Sequence, residues 1–248
     1  MKKVLLTTVC RPFAADTDDC TRNVMPELFH AQVTRAQGPF SLRATYISYG
    51  LEYIAKNITT PATVLQYPSM KQFKRELEKG YDYVGISFVI ATFEKLKKMS
   101  RAVREISPNS KIVLGGYGTM LPECDQYGDY VCREEGADFM RRLLGETHND
   151  DPKKHVVYPT RTKVLGFPVL KGAVVLAGLG CHHVCDFCAT SHFHKKQHIP
   201  LIKTGTDLHR EISRVHAELK NPDLPIGIIE EDFLLQIERA SEYLECVK

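Results

Sequence analysis

Short runs of consecutive apolar residues alternate along the chain with stretches whose apolar positions recur at helical spacing. Val4, Leu5, Leu6 and Val9 mark a strand over residues 4–9 of the continuous type that parallel sheets bury on both faces. Residues 62–65, 83–88, 111–114 and 129–132 repeat that pattern. Between them lie helical stretches. Leu42, Tyr46, Tyr49, Tyr53 and Ile54 share one face of a helix over 42–57. Ser69 reads as the N-cap of an amphipathic helix over 70–78 that stops at Gly80. Further helices are predicted over 94–106, turned by Pro108 and Asn109, and over 136–144. Residues 10–40 follow neither period and are broken by Pro12, Pro26, Gly38 and Pro39, with a turn of helix expected around 27–36. A stretch this long inside a compact domain is usually a functional loop or lid.

Strand alternating with helix predicts an α/β fold, a doubly wound (flavodoxin- or Rossmann-like) parallel sheet with helices on both faces. Such sheets bind ligands beyond the C-terminal ends of their strands. Those ends carry Thr7 and Thr8, then 87–92, beginning at Ser87, then 115–119, beginning at Gly115 and Gly116. Glycine there lets the backbone approach a large flat ligand. The run Gly115-Gly116-Tyr117-Gly118 does not match the GxGxxG dinucleotide fingerprint.

Around residues 147–154 the chain turns polar, and a proline-punctuated connector runs to Pro168. The expected division is therefore a domain over 1–146, a linker over 147–171 and a second region over 172–248. In that region a strand over 173–177 leads through Gly178-Leu179-Gly180 to Cys181, Cys185 and Cys188, three thiols within eight residues. A helix over 208–219, capped by Thr206 or Asp207, is followed by a strand over 225–229. The acidic turn Glu230-Glu231-Asp232 and a helix over 233–246 complete it.

Thiolates this close in sequence can converge on one soft metal centre. Four cysteines close an iron–sulfur cubane; three leave one iron open to another ligand. A Cys3His zinc site with His192 or His194 as fourth ligand is the competing reading. His182, His183 and His198 read as solvated loop residues.

Composition narrows the classes. The hydrophobic fraction of 43% and charged fraction of 25% are those of an ordinary globular protein, and a net charge of +3 gives no footprint for nucleic acid. No stretch approaches membrane-spanning length, and the apolar start is too short for a signal-peptide core. A cytoplasmic location is expected. There the eight cysteines read as metal ligands or buried thiols, with Cys10, Cys20, Cys124, Cys132 and Cys246 taken as buried or incidental.

The CxxxCxxC spacing, with Phe187 before the last cysteine and a strand in front, resembles the cluster loop of radical S-adenosylmethionine enzymes. The resemblance implies a [4Fe–4S] cluster on Cys181, Cys185 and Cys188, shielded by Phe187. Its open iron would chelate S-adenosylmethionine, which one electron cleaves to a 5′-deoxyadenosyl radical. It also implies an electron donor such as flavodoxin or ferredoxin, and a small-molecule substrate that the sequence does not name. In that family a Gly-Gly-Glu segment at the end of the second strand contacts the S-adenosylmethionine amino group. Glu230-Glu231-Asp232 stands in its place, without the glycines, and Glu231 is the position matched to that role.

Residues 1–146 resemble the cobalamin-binding domain that precedes the radical domain in one branch of that superfamily. The likeness lies in the order of residues 81–87, 111–119 and 129–138. It implies a corrinoid held at Thr7, Thr8, Ser87, Gly115 and Gly116. The DxHxxG motif, whose histidine ligates cobalt in some cobalamin proteins, is absent, which implies a cobalt without that ligand. A flavodoxin-like domain with a degenerate pocket is the alternative. The radical domain of the family is a partial TIM-type (β/α) barrel of six strand–helix units. Residues 172–248 have room for two, so a second chain supplying the remaining strands is an expected partner. A non-catalytic cobalamin or iron–sulfur fragment and a zinc-binding interaction module are the readings from other classes. Methyl transfer to an unreactive centre is the reaction many members of the branch perform.

Overall fold

The computed structural model describes residues 2–10, 48–146, 154–156 and 172–247, with 43–44, 157, 162–164 and 167–170 described as backbone. The expected helical turn at 27–36 lies outside these residues. The chain divides into two compact units, Met1–Pro152 and Lys153–Lys248.

The first unit is built on strands β1 (Val4–Thr8), β2 (Ala62–Leu65), β3 (Tyr83–Ser87), β4 (Lys111–Gly115) and β5 (Tyr130–Val131). All pair in parallel, in the order β2-β1-β3-β4-β5. Among the described residues, α1 (Tyr49–Asn57), α2 (Met70–Leu77) and α3 (Phe93–Ile106) lie between them and α4 (Gly136–Leu144) follows β5. The alternation of β1 explains the layers. Leu5 points to one face with Val84, Ile86, Ile112 and Leu114, against Phe73 and Leu77 of α2 and Leu96 and Met99 of α3. Val4 and Leu6 point to the other face with Val113, against Leu51 of α1 and Met140 and Leu144 of α4. Burying each large apolar side chain contributes about 1.5–3 kcal/mol. Gly85 inside β3 gives room to Leu6: a Cβ there would stand 2.8 Å from Leu6 Cδ2, and the leucine would have to shift. This unit is the doubly wound α/β sheet that the pattern predicts, in the flavodoxin-like order.

Local signals place the helix ends. Ser69 Oγ accepts from Gln72 N–H at 3.2 Å and Gln72 Oε1 accepts from Ser69 N–H at 2.8 Å, a complete capping box on α2. The helix expected over 42–57 begins only at Tyr49, and Arg43–Ala44 is extended. Ser48 has extended backbone, and its N–H donates to Gln66 Oε1 at 2.8 Å, a tertiary tether that holds it out of the helix.

The second unit contains β6 (Val156–Val157), β7 (Thr162–Val164), β8 (Phe167–Leu170), β9 (Ala173–Leu176), β10 (Gly178–Leu179), the short helix α5 (Ala189–Phe193), β11 (Ile199–Pro200), α6 (Gly205–Leu219), β12 (Ile226–Ile229) and α7 (Ile237–Cys246). β9 pairs in parallel with β12 and antiparallel with β6, so part of the expected linker is a strand of this sheet. β7 and β8 form an antiparallel hairpin, as do β10 and β11. Ala173, Val175 and Ala177 form one buried cluster with Leu208, Ile212 and Val215 of α6. The strand–helix–strand unit β9–α6–β12 is present; a mixed three-stranded sheet among the described residues is not yet a barrel wall.

The cap of α6 differs from expectation. Thr204, not Thr206 or Asp207, is the N-cap, its Oγ1 accepting from Asp207 N–H at 3.0 Å. Gly205 permits the earlier start: a Cβ there would lie 2.3 Å from Tyr243 N and 2.4 Å from Arg239 O of α7. The helix predicted over 233–246 begins with a 3₁₀ turn, Phe233–Leu235, before α7. No described helix is long and apolar enough to cross a membrane.

Candidate cofactor sites

In the order β2-β1-β3-β4-β5 the chain leaves β1 for one side of the sheet and returns to the other. The crevice beyond the C-terminal ends of β1 and β3 is therefore the topological switch point, where open α/β sheets bind ligands. A cleft of about 210 Å³ opens there, lined by Thr8, Ser48, Tyr67, Ser87, Phe88, Val89, Gly116 and Tyr117. Thr8, Ser87 and Gly116 are thus placed on it. Thr7 is not: it is fully buried and its Oγ1 donates to Thr8 O at 2.8 Å. Gly115 does not line the cleft, but nothing lies within 4 Å of where its Cβ would be.

The edge is built by close backbone approach. Phe88 N–H donates to Gly115 O and Gly118 N–H to Phe88 O, both at 3.0 Å. Gly116 has φ +86°, and a Cβ on it would stand 2.6 Å from Phe88 O and 2.9 Å from Ser87 Oγ. On Gly118 it would stand 2.2 Å from the Phe88 ring. Thr8 Oγ1 accepts from Tyr67 N–H at 2.7 Å, which pins the loop after β2, and Tyr67 takes a left-handed φ of +44°. Phe88, Val89 and Tyr117 fall within the strand-end stretches 87–92 and 115–119 that the sequence points to, whereas Ser48 and Tyr67 carry no such signal.

A second cleft of about 310 Å³ lies among Lys3, Pro61, Ala62, Thr63, Lys79, Gly80 and Tyr81, at the N-terminal ends of the strands. Size alone does not make it the better site. It is away from the switch point, and its two lysines are surface residues.

In the second unit Cys181, Cys185 and Cys188 sit on the irregular segment between β10 and α5 and are free, half-buried thiols. Cys188 N–H donates to Cys185 O at 3.0 Å, and Cys181 Sγ accepts from His183 N–H at 3.5 Å. The donor set fits a thiophilic centre, since the three thiols are uncommitted to a core or a disulfide. Their arrangement does not: among the described residues no three His, Cys, Asp or Glu side chains are gathered as for a metal ion. Phe187 is 92% exposed and shields nothing in this conformation. His192 is exposed, whereas His194 is half-buried and burial lowers its pKa.

The turn after β12 departs most from expectation. Glu231 is exposed, as a ligand-contacting carboxylate could be. Its neighbour Glu230 is 1% exposed at its side chain, accepts from His198 Nε2 at 2.7 Å and is ion-paired with Arg239. His198 is therefore not a solvated loop residue; its side chain is 8% exposed because Glu230 draws it under the hairpin of β10 and β11.

Strand order, switch-point cleft and glycine-built edge define the first unit as a doubly wound ligand-binding domain. Residues 58–144, from just before β2 through α4, match the model of the B12 binding domain family. The match supports cobalamin binding. No curated protein matches the chain.

Proposed function

We propose that the first unit binds a cobalamin over the C-terminal edge of β1, β3 and β4. The carrying observation is the B12 binding domain match over a sheet whose switch point falls at that edge. The cleft is smaller than the roughly 300–1,000 Å³ of pockets that engulf drug-sized ligands, so the corrinoid lies across the edge and not within it. Gly116 keeps the backbone low there, Ser87 offers a hydroxyl, and Val89 and Tyr117 offer partly exposed apolar area, while Thr8 and Phe88 line it as buried residues. Among the described residues that line the cleft there is no histidine. Titrating hydroxocobalamin into the protein and following its visible spectrum tests the reading. Retention on gel filtration at micromolar protein is expected, with a spectrum lacking histidine ligation. Loss of the corrinoid on the column would overturn binding.

The finer reading is a radical S-adenosylmethionine enzyme of the cobalamin-binding branch. It rests on the spacing of Cys181, Cys185 and Cys188 after a buried strand and on their free, half-buried state. The cluster, when bound, would supply the electron that cleaves the sulfonium of S-adenosylmethionine. This chain's share is to present three thiolates on one loop and a carboxylate, Glu231, beside it. Anaerobic reconstitution with iron and sulfide is expected to give a brown protein with about four irons. Stoichiometric zinc without iron would favour a zinc-stabilised module instead.

A further inference from the structure

The base of the cysteine loop carries a buried charge network. Residues 180–197, with all three loop cysteines, leave and rejoin the fold at the pairs Gly178↔Pro200 and Leu179↔Ile199. Glu230, His198 and Arg239 converge under that junction. Both Glu230 carboxylate oxygens are used, Oε1 by His198 Nε2 at 2.7 Å and Oε2 by Arg239 Nη2. Arg239, 4% exposed, donates from Nη1 to Ile202 O at 3.0 Å and to Ala177 O at 3.5 Å. One guanidinium thus touches the chain just before the loop and just after it. Ala177 O also accepts from Leu201 and Ile202 N–H, both at 3.0 Å. Gly178 lies directly on the network: a Cβ there would stand 2.5 Å from His198 Nε2 and 2.7 Å from Glu230 Oε1.

Two residues past Glu230, Asp232 Oδ2 meets His183 Nε2 at 3.1 Å, and His183 lies between Cys181 and Cys185. Ser191 Oγ donates to the carbonyl of the same His183. The short segment after β12 therefore grips the loop at its base and again on the arm that carries the thiols. A buried ion pair is a weak device for stability, because desolvation offsets its attraction, and its best-attested use is to specify one geometry.

We infer that Glu230 with Arg239 and His198, and Asp232 through His183, are positioning residues that fix the base and one arm of the three-thiol loop, so that a thiophilic metal has only the thiols themselves left to gather. The inference rests on the metal-centre reading of that loop. It removes Glu230 from the groups free to meet a ligand's ammonium and gives it a mechanical role.

The test uses the full chain, reduced and anaerobic, titrated with cobalt(II) and read by the thiolate-to-cobalt charge-transfer absorption. His183→Ala alters only the exposed arm; Asp232→Asn alters that arm while keeping an oxygen for the Leu235 N–H that Asp232 Oδ1 caps at 3.1 Å. Glu230→Gln alters the base. Each is expected to weaken cobalt binding about 10-fold or more, in the range seen when groups orienting metal ligands are removed. The exposed-arm variants should do so with an unchanged melting temperature, which a purely structural role does not predict. Wild-type affinity and an unchanged band in Asp232→Asn and His183→Ala would overturn the inference, whether or not Glu230→Gln folds. If the wild-type chain gives no thiolate band, the metal reading fails and hydrogen exchange decides the bracing. Faster exchange across 178–202 in Asp232→Asn supports it; unchanged exchange refutes it.

Discussion

The described cysteines of the two units sit in opposite surroundings. In the first unit Cys10, Cys124 and Cys132 are buried. Burial pushes the Cys10 thiol up to about 12 although Lys95 pulls the other way, and pushes Cys132 up to about 11. Such thiols are small apolar side chains and stay protonated. In the second unit Cys181, Cys185 and Cys188 are half-exposed on a loop, and Cys246 is exposed. The sheets differ likewise. Every residue of β1 is buried, whereas Ile226, Ile228 and Ile229 of β12 are only partly covered and Leu234, Ile237 and Leu244 after it are exposed. The first unit satisfies its core and offers one edge to a ligand; the second keeps its reactive groups outside its core.

Replacing all three loop cysteines by alanine separates the two regions most sharply. Iron uptake on anaerobic reconstitution is expected to vanish, while the cobalamin spectrum and the melting of the first unit stay as in the wild type. A concurrent loss of cobalamin would show that the sites are not independent.

Core truncations come next. Leu96→Ala removes a fully buried side chain between α3 and the sheet and should cost about 2–5 kcal/mol in denaturant unfolding. Glu230→Ala leaves Arg239 buried without its partner and should cost about 3–5 kcal/mol in the second unit. Two separate transitions, each shifted by only one of these changes, would confirm that the units unfold independently.

Gly116→Ala is smaller and more specific. The added Cβ meets Phe88 O and the left-handed φ adds strain of about 1–3 kcal/mol. Cobalamin affinity should fall while cobalt binding by the thiol loop is unchanged. Equal cobalamin retention would move the corrinoid away from this edge.

Thiol titration sharpens the cysteine contrast without mutation. Under native conditions at neutral pH, Cys181, Cys185, Cys188 and Cys246 should react with an aromatic disulfide reagent. Cys10, Cys124 and Cys132 should react only after unfolding. Mass spectrometry of the labelled peptides reads each position.

The smallest effect is on acid stability. Burial works to raise the Asp129 pKa, but the Ile112 N–H and the Arg104 guanidinium outweigh it and hold the carboxyl below its ordinary value. A depressed carboxyl contributes stability above its unfolded pKa of about 3.9 and loses it as pH falls through the lower folded value. Asp129→Asn should therefore lower stability at neutral pH and flatten its decline below about pH 4.

Much of this protein was legible in one dimension. The continuous apolar runs of β1, β3 and β4 announce a sheet covered on both faces, because a strand flanked by two helix layers has no polar side. Ser69 and Gln72 announce their capping box, since both partners lie within one turn. The three cysteines announce a thiol loop by spacing alone. Signals of this kind are local and survive without a fold.

Tertiary structure decided what depends on distant partners. It placed β1 between β2 and β3 and so put the switch point at Thr8 and Ser87, while the pleat turned Thr7, one residue earlier, into the core. It placed Ser48 outside the helix, because Gln66 tethers it from 18 residues away. It also buried Glu230, which sequence alone read as part of an acidic turn. His198 stands 32 residues before it and Arg239 nine after, and only the packing of α7 beneath the β10–β11 hairpin brings them to one carboxylate.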